Sequence, residues 1–176
     1  MTTPTEQNQP TMEQQADAAV RERDRRMLRL AAQLAKKSIE SGGGPFGAVI
    51  ARGDTVLAAC SNSVVPSCDP TAHAEVSCIR EACKATASHC LEGCTIYTTC
   101  EPCPMCLGAI YWAHLSRIVF ASTREDAARA GFDDDFIYHE IDLPISERRV
   151  PTEHLPHAEA EEPLHVWSQK PDRAAY

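Results

Sequence analysis

The chain has 176 residues, 24% of them charged and 43% hydrophobic, with a formal net charge of -8. That length suits one domain with a sizeable core and a short tail, and no apolar run reaches the ~18 residues of a membrane span. Seventeen Lys and Arg stand against 25 Asp and Glu, with no basic cluster among aromatics, which argues against a nucleic-acid partner because phosphate neutralisation drives such binding. Nine cysteines, an odd count, make about 5% of the chain, below the ~8–10% of a disulfide scaffold. The polar amino terminus lacks the basic and apolar regions of a signal peptide, so a cytoplasmic protein is expected.

Residues 1–20 carry Thr, Pro, Gln and Glu with few apolar residues, and a disordered tail is expected there. From Arg21 to Glu40, Met27, Leu30, Ala31, Leu34 and Ile39 recur at helical spacing, and Glu22 and Asp24 interrupt the Arg21–Arg26 run as on a solvated face. Gly42 to Pro45 ends this helix; the stretch lacks the lysine and following helix of a phosphate loop. Two short strands, Phe46 to Ala51 and Thr55 to Ser61, flank Gly53-Asp54 as a hairpin. Asp69 can cap a helix with Pro70 at its first position, and Val76, Ile79, Ala82 and Cys83 give that helix its buried face. Cys94 to Thr99 reads as a buried strand, Glu101 to Ala113 as a helix and Arg117 to Ser122 as a strand. A short helix then ends at Gly131. Beyond Pro144 the pattern is proline-broken up to Pro163. Strands alternating with helices imply an α/β architecture.

The chemistry-bearing residues lie in two pieces, Pro70-Thr71-Ala72-His73-Ala74-Glu75 and Cys100-Glu101-Pro102-Cys103-Pro104-Met105-Cys106. His73, Cys103 and Cys106 can supply one nitrogen and two thiolates, the latter from one turn at a helix start. Three protein ligands leave a fourth tetrahedral place for water, the arrangement of catalytic zinc. Glu75, two residues past His73, is placed to carry that water's proton. Two rival readings stand beside this one. Cys100 could close a structural His/Cys3 site in a zinc-stabilised binding or assembly domain, although such a site leaves Glu75 idle. The C-x2-C-x2-C run could belong to an iron–sulfur motif, but no cysteine follows Cys106. Cys60, Cys68, Cys78, Cys83, Cys90 and Cys94 read as small core or near-surface residues in a reducing compartment.

The H-x-E and P-C-x-x-C pieces match the signature of zinc deaminases of nucleobases, and the chain resembles the cytidine deaminase superfamily. Within it, Gly43 to Ile50, Asp69 to Val76, Cys100 to Trp112 and Ala130-Gly131-Phe132-Asp133-Asp134 are similar to the guanine deaminase branch. The resemblance covers about Arg21 to Tyr176 and is weakest from Arg148 to Lys170. It implies a three-layer α/β/α cytidine deaminase-like fold with a mixed five-stranded sheet, spanning residues 21–176. It also implies a homodimer in which residues 148–176 are exchanged between subunits. By position it implies that His73, Cys103 and Cys106 ligate Zn2+ and Glu75 shuttles protons. Asn62 would bind a small-molecule purine, with Phe46 and Trp112 packed around the ring. Asp134 would serve as a second acid near the amino group, and Tyr176 would close the site from a neighbouring subunit. Without the resemblance, Asn62 reads as a turn residue, Phe46 and Trp112 as core and Tyr176 as a frayed end. The implied reaction is hydrolysis of guanine to xanthine and ammonia, with guanosine and then cytidine as alternative substrates.

Overall fold

Thr11 starts the first helix: its hydroxyl accepts from Gln14 N at 3.3 Å while Gln14 Oε1 accepts from Thr11 N at 2.9 Å, a reciprocal cap. The computed structural model describes residues 11–174. Helix α1 therefore spans Met12–Glu40, and the expected disorder of residues 11–20 is corrected: Thr11 supplies a start signal upstream of the apolar pattern. Residues 1–10 lie outside the described residues, as does Tyr176.

The chain divides into two units, Met1–Thr123 and Arg124–Tyr176. In the first, β1 (Gly47–Arg52) and β2 (Thr55–Ser61) form the expected hairpin around Gly53-Asp54. A single-turn helix α2 (Val64–Ser67) precedes α3 (Ala74–Thr86), β3 (Thr95–Cys100), α4 (Pro104–Trp112) and β4 (Arg117–Ser122). The sheet order is β2-β1-β3-β4, with β1 antiparallel to β2 and β3. Strands β3 and β4 run parallel, joined across α4. The sheet is mixed, as expected, but it has four strands among the described residues, and the fifth implied by the resemblance is corrected. The residues after β4 are Arg-Glu-Asp-Ala-Ala-Arg, three successive aspartates and a proline-punctuated tail, with no β-branched run to pair.

Helices cover both faces of this sheet. Ala48 and Ile50 of β1 pack with Ile96 and with Ala74, Cys78 and Ala82 of α3 and Ile110 of α4. Val49 and Ala51 point the other way and pack with Tyr97 and with Met27 and Ala31 of α1. Successive side chains of a strand alternate between faces, so a strand buried on both sides reads as the unbroken apolar run Ala48-Val49-Ile50-Ala51.

Asp24 corrects the reading of the α1 charges. It is only 9% exposed and lies on the Met27/Ala31 stripe. Its carboxylate accepts from Arg117 Nη1 at 2.9 Å and Nη2 at 2.7 Å, and Tyr97 Oη donates to it at 2.9 Å. The Arg117 guanidinium, with Tyr97 behind it, holds the Asp24 carboxyl below the usual aspartate range. This fork ties α1 to β3 and β4. The spacing 24, 27, 31 was the available signal, masked by the charged neighbours Arg23 and Arg25.

The second unit contains α5 (Arg124–Arg129), α6 (Asp135–Asp142), a 3-10 turn at Ile145–Glu147 and α7 (Ala158–Gln169), which has Pro163 inside it. Within it Arg124 pairs with Asp135 and lies over the Tyr138 ring, and Arg149 lies over Phe136. None of its helices has a buried residue.

Candidate active site

Two helix starts carry the candidate ligands. His73 is the N-cap of α3 and Cys103 the N-cap of α4, both with extended backbone, and Cys106 lies in the first turn of α4. The expected helix start at Asp69-Pro70 is thereby corrected. Asp69 Oδ1 instead accepts from Thr71 N at 2.8 Å and from Thr71 Oγ1 at 2.7 Å, a local side-chain turn that delivers the chain to His73. Pro104 follows Cys103 as the first residue of α4, where a missing N–H costs nothing.

His73 Nδ1 lies 3.6 Å from Cys103 Sγ and 3.4 Å from Cys106 Sγ, and all three ligand atoms fall within 4.8 Å of one another. Around a tetrahedral zinc with Zn–N near 2.0 Å and Zn–S near 2.3 Å, an N···S edge measures roughly 3.6 Å. The donor set therefore fits such an ion. The Cys106 S–H and, after it, His73 hold the Cys103 thiol well below the usual cysteine range, and supplying that hydrogen bond raises Cys106 in turn. The positive end of the α4 dipole favours negative charge on both sulfurs, as zinc ligation would require.

Cys100 does not join this group among the described residues. Its thiol donates to Thr123 O at 3.5 Å, and Glu101 N donates to Ser122 O at 2.9 Å, so these residues fasten the end of β3 to the end of β4. A His/Cys3 closure is not what the geometry forms.

Glu75 is 7% exposed, in the first turn of α3. Burial raises its carboxyl above the usual glutamate range, and its side chain contacts Cys106. It is thus a buried acid set against the ligand triangle, an environment that suits proton exchange.

Asn62 is also buried and is held on several sides. Its Oδ1 accepts from Gly44 N at 3.1 Å and from Val64 N at 3.3 Å. Two N–H donors on one amide atom require that atom to be the oxygen, so the orientation is set and Nδ2 is the donor left to face elsewhere. Asn62 N donates to Phe46 O at 3.0 Å, and Ser63 N donates to Ala72 O at 3.0 Å. Asn62 and Phe46 are thus paired, and the next residue along is bonded to the neighbour of the ligand His73. Phe46 packs its ring partly against the core. Trp112 is 66% exposed at the last position of α4, about 13 Å along the helix axis from Cys103, so it is not brought to the ligand end of its own helix. Asp134 is the N-cap of α6 in the second unit, and Asp133 Oδ1 accepts from Asp135 N at 3.1 Å. Tyr176 lies outside the described residues. The support beneath Asn62 comes from Ser38 and Gly43, which periodicity presents only as helix surface and turn.

The chain is similar to several known proteins. The family model for the cytidine and deoxycytidylate deaminase zinc-binding region matches residues 21–122. Guanine deaminase of Bacillus subtilis is 47% identical over 150 residues, which are 85% of this chain and 96% of that protein. Its crystal structure superposes with a TM-score of 0.83 at 46% identity, covering 86% of this chain and 98% of that one. A tRNA-specific adenosine deaminase of Aquifex aeolicus is 35% identical over 143 residues, 81% of this chain and 92% of that protein. With a His/Cys/Cys triangle at two helix starts, a buried glutamate beside it and the family model matched over residues 21–122, the chain belongs to the cytidine and deoxycytidylate deaminase zinc-binding family.

Proposed function

We propose that this protein is a zinc-dependent aminohydrolase that converts guanine and water to xanthine and ammonia. The observation that carries the reading is the 47% identity with Bacillus subtilis guanine deaminase across 85% of this chain and 96% of that protein. His73 Nδ1, Cys103 Sγ and Cys106 Sγ would hold the zinc, which when bound would supply Lewis acidity that brings the pKa of water down to about 7. Glu75 takes the proton of the water that attacks C2 and delivers it to a ring nitrogen, a task suited to a carboxyl whose burial lifts its pKa. Asn62 offers its Nδ2 to an acceptor on the purine edge, and Phe46 packs beside the ring. Asp134 assists protonation of the departing amine, so that the leaving group is ammonia.

The working form is a homodimer in which residues 148–176 are exchanged, with Tyr176 closing the partner's site. Supporting this, Leu155 is 78%, Leu164 77% and Val166 59% exposed, an apolar surface that one copy leaves in water. No helix of the described residues is long and apolar enough to cross a membrane. None of the nine cysteines forms a disulfide among the described residues, which suits the reducing cytoplasm.

Ammonia release from the zinc-loaded chain across guanine, guanosine, cytidine and adenine tests the substrate. Guanine should exceed each of the others by roughly a hundredfold or more in kcat/KM. Equal or faster turnover of guanosine or cytidine would replace this reading with that substrate. Release from none, with zinc bound, would leave a zinc-stabilised binding domain.

A further inference from the structure

We infer that Ser38, at the end of α1, is a positioning residue for substrate: its hydroxyl anchors Asn62 and thereby sets where the Asn62 amide meets the purine. The inference rests on the reading above that Asn62 binds the base.

Ser38 is 4% exposed, and its Oγ donates to the main-chain oxygen of Asn62 at 2.7 Å. The end of α1 is built to present that hydroxyl. Gly42 takes a left-handed φ of 80°, Gly42 N donates to Ile39 O at 3.1 Å, and Gly43 N returns to Ser38 O at 2.8 Å. This pair of bonds is the Schellman closure, and it places Ser38 three residues before the cap. Gly43 is the second requirement. A Cβ there would overlap both Ser38 Oγ and Asn62 O, so the backbone of residue 43 passes where no other side chain fits.

The consequence reaches the site through Asn62. Its carbonyl is held by Ser38, its N–H by Phe46 O and its Oδ1 by Gly44 N and Val64 N. Residue 62 therefore has its main chain and its amide oxygen committed to scaffold, and only the Nδ2 donor is left to select a ligand. Of these four fixings, Ser38 supplies the one that comes from a side chain of α1, the helix that packs on the sheet face opposite α3 and α4. Removing it leaves a buried carbonyl without that donor and lets residue 62 shift toward another partner. A donor displaced by a fraction of an ångström weakens binding of the base while the ligand triangle and Glu75, held by α3 and α4, stay in place.

The test uses the full zinc-loaded chain with guanine. Ser38→Ala should raise KM about three- to tenfold, the range for losing one hydrogen bond. Its kcat should stay within about twofold and its zinc content should not change. Ser38→Thr keeps the hydroxyl and should return KM to near the parent value; because it adds a methyl, its melting temperature is measured alongside. A Ser38 that served stability alone would lower the folded fraction, and so kcat and melting temperature, without moving KM. That pattern, or Ser38→Ala with KM unchanged, overturns the inference, as does Ser38→Thr folding normally yet keeping the raised KM. If Ser38→Thr melts low, Ser38→Ala by itself decides through the split between KM and kcat. Asn62→Asp separates the two layers of the argument, since its carboxylate can still accept from Gly44 N and Val64 N but has no Nδ2 donor. A raised KM in Asn62→Asp with none in Ser38→Ala removes Ser38 and keeps Asn62 in the site. An unchanged KM in Asn62→Asp removes Asn62 from substrate binding and the inference with it.

Discussion

The two units of the chain obtain their order in different ways. In Met1–Thr123, Ala48, Val49 and Ile50 of β1 are wholly buried between helices on both faces, and every ligand sits at the start of one of those helices. In Arg124–Tyr176 no helix has a buried residue, and Val150, Leu155 and Leu164 are each more than 70% exposed. The second unit also carries 13 of the 25 acidic residues and 6 of the 17 basic ones, so most of the net charge of -8 belongs to it. The first unit is held by burial, which is what overcomes the entropy of ordering a chain. The second is held by local polar pairs such as Arg124 with Asp135, which are worth little when exposed. Changes in the first unit should therefore alter chemistry or stability outright. Changes in the second should cost little stability, and on the proposed role of Asp134 should act on turnover instead.

The largest effect is expected from Glu75→Gln, whose amide keeps the shape but carries no proton. Turnover should fall about a thousandfold, within the range for general acid–base catalysis, with zinc retained. Substantial activity in that variant would remove Glu75 from proton transfer. Cys103→Ala and Cys106→Ala should each lose both zinc and activity, whereas Cys100→Ala should keep zinc. Elemental analysis decides this, and loss of metal in Cys100→Ala would restore the closed His/Cys3 site.

In the second unit, Asp134→Asn should slow guanine turnover by roughly a hundredfold, while the same change at Asp133 or Asp135 costs less than about threefold. Equal losses at all three would mean that the unit supplies diffuse negative charge instead of one acid. The smallest effect belongs to the scaffold of the first unit. Asp24→Asn leaves Arg117 without its charged partner and should lower stability by about 1–3 kcal/mol, less than a fully buried pair because the Arg117 side chain is 44% exposed. Its pH dependence follows from the lowered carboxyl. The stabilisation is complete above the ordinary aspartate pKa of about 3.9 and is lost as the pH falls through the lower folded-state value. Denaturation of parent and variant across that window measures it, and a constant difference at all pH values would show that the charge is not what Arg117 recognises.

Much of the active site was legible in the sequence because its determinants are local. The interval from Cys103 to Cys106 is set by a few backbone bonds, so the donor types that the structure gathers with His73 could be expected from the sequence, while the role assigned to Glu75 rests on the resemblance. The four strands were also legible, since an unbroken or alternating apolar run needs only its own residues to be recognised. Helix starts were less so. Asp69-Pro70 satisfies the local rules for a cap, yet Asp69 bonds to Thr71 and the helix waits until His73, where the ligand has to face the start of α4.

What only the tertiary structure decided are the partnerships between residues far apart in the chain. Asp24 meets Arg117 and Tyr97, Cys100 meets Thr123 instead of the ligand triangle, and Ser38 meets the main chain of Asn62. Each of these residues looks ordinary in its own segment: an acid among arginines, a third cysteine in a C-x2-C-x2-C run, a serine near a helix end. Their meaning comes from burial, which makes an unpaired polar group costly and so assigns each one a specific partner across the fold. Local spacing could group the candidate donors, but only the packing of α1, α3 and α4 on the two faces of one sheet could say which remote side chains hold them in place.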